Sequence, residues 1–140
     1  MRNTWTYALW TIQVLLALVF LVAGGMKLAM PADELAAAMA ALPLPVAFVR
    51  LIAVCEVLGA LGLVLPGIVR IRTDLTPLAA KGLVAIMVGA ATTTVATMDA
   101  SMAVLPLVVG VLAATVAFGR SRVAPLSARP AGRAAPHPAI

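Results

Sequence analysis

The chain has 140 residues, one domain's worth, of which 64% are hydrophobic and only 11% charged. Soluble domains carry roughly a quarter charged residues, so a mean hydropathy of +1.12 excludes a water-soluble globule and makes lipid the solvent. The net charge of +5 sits at the ends of apolar runs and does not alternate with aromatics, which argues against a nucleic-acid partner, and a single cysteine (Cys55) and a single histidine (His137) leave no disulfide, CxxC pair, or usual ligand set for a metal or haem.

A membrane-spanning helix needs about 20 mostly apolar residues. The first such run extends from about Tyr7 to Leu28, with Thr11 and Gln13 its only strongly polar interruptions before Lys27. It is longer than the apolar core of a secretory signal and ends in Gly24-Gly25-Met26-Lys27, so a retained helix is expected. From Pro31 to Leu42, Asp33 and Glu34 lead an Ala-rich stretch in which Leu35, Met39 and Leu42 recur at helical spacing. That pattern predicts a short amphipathic helix on the membrane surface.

The second span is expected over about 46–65, stopped by Pro66-Gly67. Thr76-Pro77 has the form of an N-cap followed by proline at the first helical position, opening a third span over about 78–98. Asp99-Ala100-Ser101 makes a tight turn into a fourth, over about 102–118, near the lower limit for crossing. From Gly119 onward Arg, Pro and Ala predict a disordered basic tail, 120–140. The fold expected is therefore all-α: four antiparallel helices in an up-down bundle, with Gly59, Gly62, Gly82 and Gly89 letting the backbones approach closely.

Orientation follows from the basic residues. With the N-terminus inside, the cytoplasmic side holds Arg2, Arg70, Arg72, Lys81, Arg120, Arg122, Arg129 and Arg133, against only Lys27 and Arg50 outside. Both termini are thus expected in the cytoplasm. The excess of arginine over lysine, with frequent alanine, valine and glycine, hints at a GC-rich bacterial genome and a plasma membrane.

Glu56 stands apart. It falls close to the middle of the second span, where an acidic residue is unfavourable by about 2.5–3.5 kcal/mol, so it is expected to face the bundle interior. Counted from the span ends, Gln13 lies nearest in depth, within roughly one turn, while Arg50 and Lys81 are about two turns away. A hydrogen bond from Glu56 to Gln13, direct or through water, is therefore predicted, and with no charge close by the acid is expected to be mostly protonated. Two readings stay open: a proton relay or ligand-binding acid, and a protonated side chain that joins two helices. Arg50 and Lys27 have either a cationic pocket beside Asp33-Glu34 or plain snorkelling to headgroups as their role. Cys55 is expected to pack as a small residue, and Thr92-Thr93-Thr94 to bond back to their own helix.

The stretches Ala23-Gly24-Gly25-Met26-Lys27-Leu28, Arg50-Leu51-Ile52, Glu56-Val57-Leu58-Gly59-Ala60-Leu61-Gly62-Leu63-Val64-Leu65-Pro66 and Leu75-Thr76-Pro77-Leu78-Ala79-Ala80 resemble the DoxX-like family over about 18–90. The resemblance implies a four-helix membrane protein, and carries over Lys27, Arg50, Glu56 and Gly59 as motif residues. The family takes its name from a subunit of a thiosulfate:quinone oxidoreductase, which implies an accessory or assembly subunit of a membrane redox complex. A quinone-binding oxidoreductase component is a second reading, with Arg50 and Glu56 lining the quinone pocket. A small proton-coupled transporter, alone or as a homo-oligomer, is a third. The histidine that many relatives carry near the outer end of the third helix is absent here, where the chain reads Thr97-Met98-Asp99.

Overall fold

A computed structural model describes residues 2–130. Four helices long and apolar enough to cross a membrane dominate it. They are α1 (Arg2–Ala29), α3 (Val46–Val69), α4 (Leu75–Thr97) and α5 (Val104–Phe118), with a short α2 (Ala32–Ala38) between the first two. No strand occurs among the described residues. Helix α1 packs on α3, α3 on α4, α4 on α5, and α5 returns to α1, which closes an up-down bundle. The α2 helix and the Ala100–Ala103 3₁₀ turn cap one end, called here the α2 end. The start of α1 and the segment after α5 lie at the other, the tail end.

The packing follows a narrow stripe on each helix. On α1 the buried positions are Leu9, Gln13, Leu16, Phe20 and Gly24; on α3 they are Val49, Ala53, Glu56, Ala60, Leu63 and Pro66; on α4, Thr76, Ala80, Leu83, Met87 and Ala91. Alternating steps of three and four residues keep one seam facing its neighbours, as in coiled-coil packing. Much of the seam is alanine, so close approach rather than bulky side chains holds the helices together. Leucine, valine and methionine cover the exposed faces, the inverse of a soluble protein and what a hydrocarbon solvent selects.

Glycines set the closest crossings. A methyl group at Gly59 would lie 2.6 Å from Leu83, and one at Gly62 2.7 Å from Ala79, so both serve the α3–α4 contact. Gly82 and Gly89 have open space where a side chain would go, and pack against nothing. Their small size therefore has no packing role within the bundle. Gly24, which the sequence pattern did not single out, brings α1 against the backbone of Ala53 on α3.

Several helix ends differ from expectation. α3 runs through Pro66 for another turn and stops at Arg70, whose φ of 58° ends the helix in the left-handed region. Proline removes one N–H from the ladder without ending it when neighbouring groups take up the freed carbonyls. α4 begins at Leu75 with Asp74 before it, so Thr76 lies inside the first turn and is not the cap. The last span is longer than expected. The 3₁₀ turn before α5 and a π-helical turn after it, Gly119–Val123, extend the fourth span to 24 residues. The tail therefore begins later than residue 120, and residues 131–140 lie outside the described part. The threonine run behaves as anticipated: Thr92, Thr93 and Thr94 donate to carbonyls four residues back, each at 2.8 Å. Cys55 is exposed on the outer face of α3 and is not a core packing residue.

Candidate functional site

Glu56 lies near the middle of α3 and is 3% exposed. It faces the bundle interior, but its partner is not Gln13. The Lys27 ammonium donates to both carboxylate oxygens, at 2.9 Å to Oε1 and 2.8 Å to Oε2. The geometry is a close ion pair inside the bundle, so the expectation of an acid with no charge close by is corrected. A buried charge is tolerable when a partner of opposite sign and its hydrogen bonds compensate it.

Two local features bring Lys27 down to this depth. Gly24, one turn earlier on α1, lets the backbone approach α3 so closely that an added methyl group would lie 3.1 Å from the Glu56 Cβ. Helical side chains also lean toward their own N-terminus. From Lys27 that direction points away from the α2 end and toward Glu56, and the four-carbon stem covers the remaining depth. Counting residues from span ends missed this, because such a count holds neither the close approach at Gly24 nor the lean of the Lys27 stem.

Gln13 instead lies level with Leu63, seven residues and roughly 10 Å along α3 from Glu56. Its Nε2 donates to the Leu63 carbonyl and its Oε1 accepts from Arg120 Nε. Arg120, read from sequence as a tail anchor, is 3% exposed inside the bundle. Arg50 does not join Glu56. Its Nη2 donates to the Met30 carbonyl at 3.0 Å, just past the C-terminus of α1, where a cation suits the helix dipole. Asp33 and Glu34 are exposed on α2. The expected cationic pocket of Lys27 and Arg50 beside them is thus divided between two separate partners.

The ion pair forms part of the wall of a 630 Å³ cavity at the α2 end. Met39, Phe48, Ile52, Met87 and Ala90 are among its apolar lining, and Thr93 and Thr94 also border it. The hydroxyls of those threonines are already engaged with their own helix, so Lys27 and Glu56 are the strong polar groups of the site. Small-molecule sites typically measure about 300–1,000 Å³ and combine apolar walls with a few convergent polar groups. No group of three or more potential metal ligands occurs among the described residues.

Fold and site together define a polytopic four-helix membrane protein with a charge pair inside the bundle and an apolar cavity over it. Comparison with known families agrees: a model of the DoxX-like family matches residues 11–116, from the first turns of α1 to the end of α5, and the chain belongs to that family. Neither a curated protein nor a solved structure matches the chain.

Proposed function

We propose that the protein is a ligand-binding subunit of a membrane redox complex, holding a lipid-soluble quinone-type molecule in the cavity at the α2 end. The observation that carries this reading is the Lys27–Glu56 pair in an otherwise apolar cavity of 630 Å³. A quinone matches that distribution of chemistry. Its carbonyl oxygen accepts from the Lys27 ammonium, the hydroxyl of its reduced form donates to the Glu56 carboxylate, and its ring rests against apolar side chains. The role within a complex rests on the family resemblance, and in it the subunit positions a quinone that a partner oxidises or reduces.

The excess of Lys and Arg at the tail end supports an orientation with both termini in the cytoplasm. The α2-end cavity then opens on the far side, and the composition supports a bacterial plasma membrane. A transporter built on a lone titrating glutamate fits less well, because Lys27 already holds both Glu56 oxygens.

Calorimetric titration of the purified protein with a short-chain quinone tests the proposal. The expected result is saturable binding that weakens about tenfold or more in Glu56→Gln and Lys27→Met, each of which removes a charged hydrogen-bond partner. Equal affinity in all three proteins would remove the cavity from consideration.

A further inference from the structure

At the tail end a second cavity of 640 Å³ lies between the start of α1, the end of α3 and the segment after the π-helical turn. Asn3, Thr6, Trp10, Arg70, Arg120 and Ser127 contribute to its walls. None of the five acidic residues of the chain does. Arg120 is the buried member of the group. Its Nε donates to Gln13 Oε1, its Nη1 donates to the Ala124 carbonyl at 3.1 Å, and its guanidinium stacks over Trp10 at 5.4 Å.

These partners are neutral. They orient the fork without supplying a counter-charge, and Nη2 is buried with no hydrogen-bond partner among the described residues. A buried, uncompensated charge with an idle donor is costly in the absence of something that completes it. The π-helical turn carrying Arg120 closes with a bond from Ala124 N to the Gly119 carbonyl, and such wide turns are frequent at functional sites.

We propose that this cavity is an anion site that takes a phosphate group, with Arg120 as its buried anchor and Arg70 as its second cation. Two guanidinium groups and the amide and hydroxyl donors of Asn3 and Ser127 suit an oxyanion with several acceptor oxygens. Depth favours the phosphate of an anionic phospholipid. Asn3 is in the first turn of α1 and Arg70 caps α3, which puts the opening at the level of lipid headgroups, and free phosphate is the other source of the same chemistry. Binding also engages the tail. Ser127 lines the cavity, and the Arg129 N–H donates to the Arg70 carbonyl at 2.9 Å, so an occupied site holds the segment after α5 against the end of the bundle.

Thermal unfolding of the full-length protein in neutral detergent tests this, with either phosphatidylglycerol or inorganic phosphate added and phosphatidylcholine as control. Arg120→Gln removes the anchor. Because that change also strips Gln13 of its partner, Arg70→Asn is the companion variant, asparagine being tolerated in the left-handed region. Wild type is expected to gain stability with phosphatidylglycerol, with affinity weakened about tenfold in Arg70→Asn. A response to phosphatidylglycerol alone assigns the site to a lipid headgroup, and a response to inorganic phosphate assigns it to a free phosphate; both support the proposal. No response of wild type to either, or responses undiminished in both variants, would overturn it.

Discussion

At the scale of single residues, two charges inside the bundle have met different fates. Glu56 is matched by Lys27, while Arg120 is surrounded by neutral acceptors. Removing one partner of a buried pair typically costs about 3–5 kcal/mol, because the other charge is left uncompensated. The two partners are not equivalent: the Lys27 side chain is 24% exposed and that of Glu56 5%. A freed Lys27 can swing its long stem toward the headgroups, whereas a freed Glu56 stays where it is. Lys27→Met is therefore predicted to destabilise more than Glu56→Gln, and the double variant Lys27→Met/Glu56→Gln less than the two singles added together. Unfolding in mixed micelles measures all four proteins. Gln13→Leu is predicted to cost at least about 1–3 kcal/mol in the same assay, since it leaves both the Leu63 carbonyl and Arg120 Nε without their partner. That Glu56 faces inward was legible in the sequence, because an acid at mid-span has nowhere else to go. Its partner was not legible: the pairing depends on the lean of the Lys27 side chain and on the close approach at Gly24, neither of which a count along the span contains.

At the scale of helices and turns, Gly24 and Gly82 make opposite predictions, the reverse of what the sequence pattern suggests. Gly24→Ala sets a methyl group 2.8 Å from the Ala53 carbonyl oxygen, a backbone atom that cannot swing away. Overpacking of this kind costs typically 1–3 kcal/mol, so about that loss is expected. Gly82→Ala meets open space and gains helix propensity, so it is expected to leave stability unchanged or raise it by up to about 1 kcal/mol. The tight turn at Asp99 adds a pH-dependent element. The Ser101 N–H, and next its side chain, hydrogen-bond the Asp99 carboxylate and hold it below the usual carboxylate range, against a smaller opposing effect of burial. A lowered folded value means that the cap's contribution is present above the ordinary carboxylate range and is lost as the pH falls through the lowered value. The protection factor of the Ser101 amide, its exchange rate corrected for the intrinsic pH dependence, is expected to fall in acid in wild type and to lose that acid dependence in Asp99→Asn. The existence of each helix could be read from its apolar run, but the ends could not. Pro66 resembles a stop signal although α3 continues past it, and Arg120 resembles the start of a tail although a π-helical turn buries it. Those extra turns supply Gly67, Arg70 and Arg120 to the wall of the tail-end cavity.

For the molecule as a whole, an up-down bundle with an apolar exterior leaves its interior polar groups concentrated at two depths, Lys27–Glu56 near the middle of α3 and Gln13–Arg120 nearer the tail end. The tail end carries the larger share of Lys and Arg, and the predicted topology puts it in the cytoplasm. Single cysteines introduced at Ser127 or Ala36 in a Cys55→Ala background check this: a membrane-impermeant thiol reagent added to intact cells should label Ala36→Cys and spare Ser127→Cys. The central claim, that the Lys27–Glu56 pair marks a ligand site, is tested most directly by native mass spectrometry. The protein is extracted gently from its own membrane, and wild type is compared with Glu56→Gln and Lys27→Met. The account predicts a co-purifying quinone-type molecule on wild type that is lost from both variants while they remain folded. A wild-type protein without any such ligand, or one whose ligand persists through both substitutions, would contradict it and leave the ion pair as a structural link between α1 and α3.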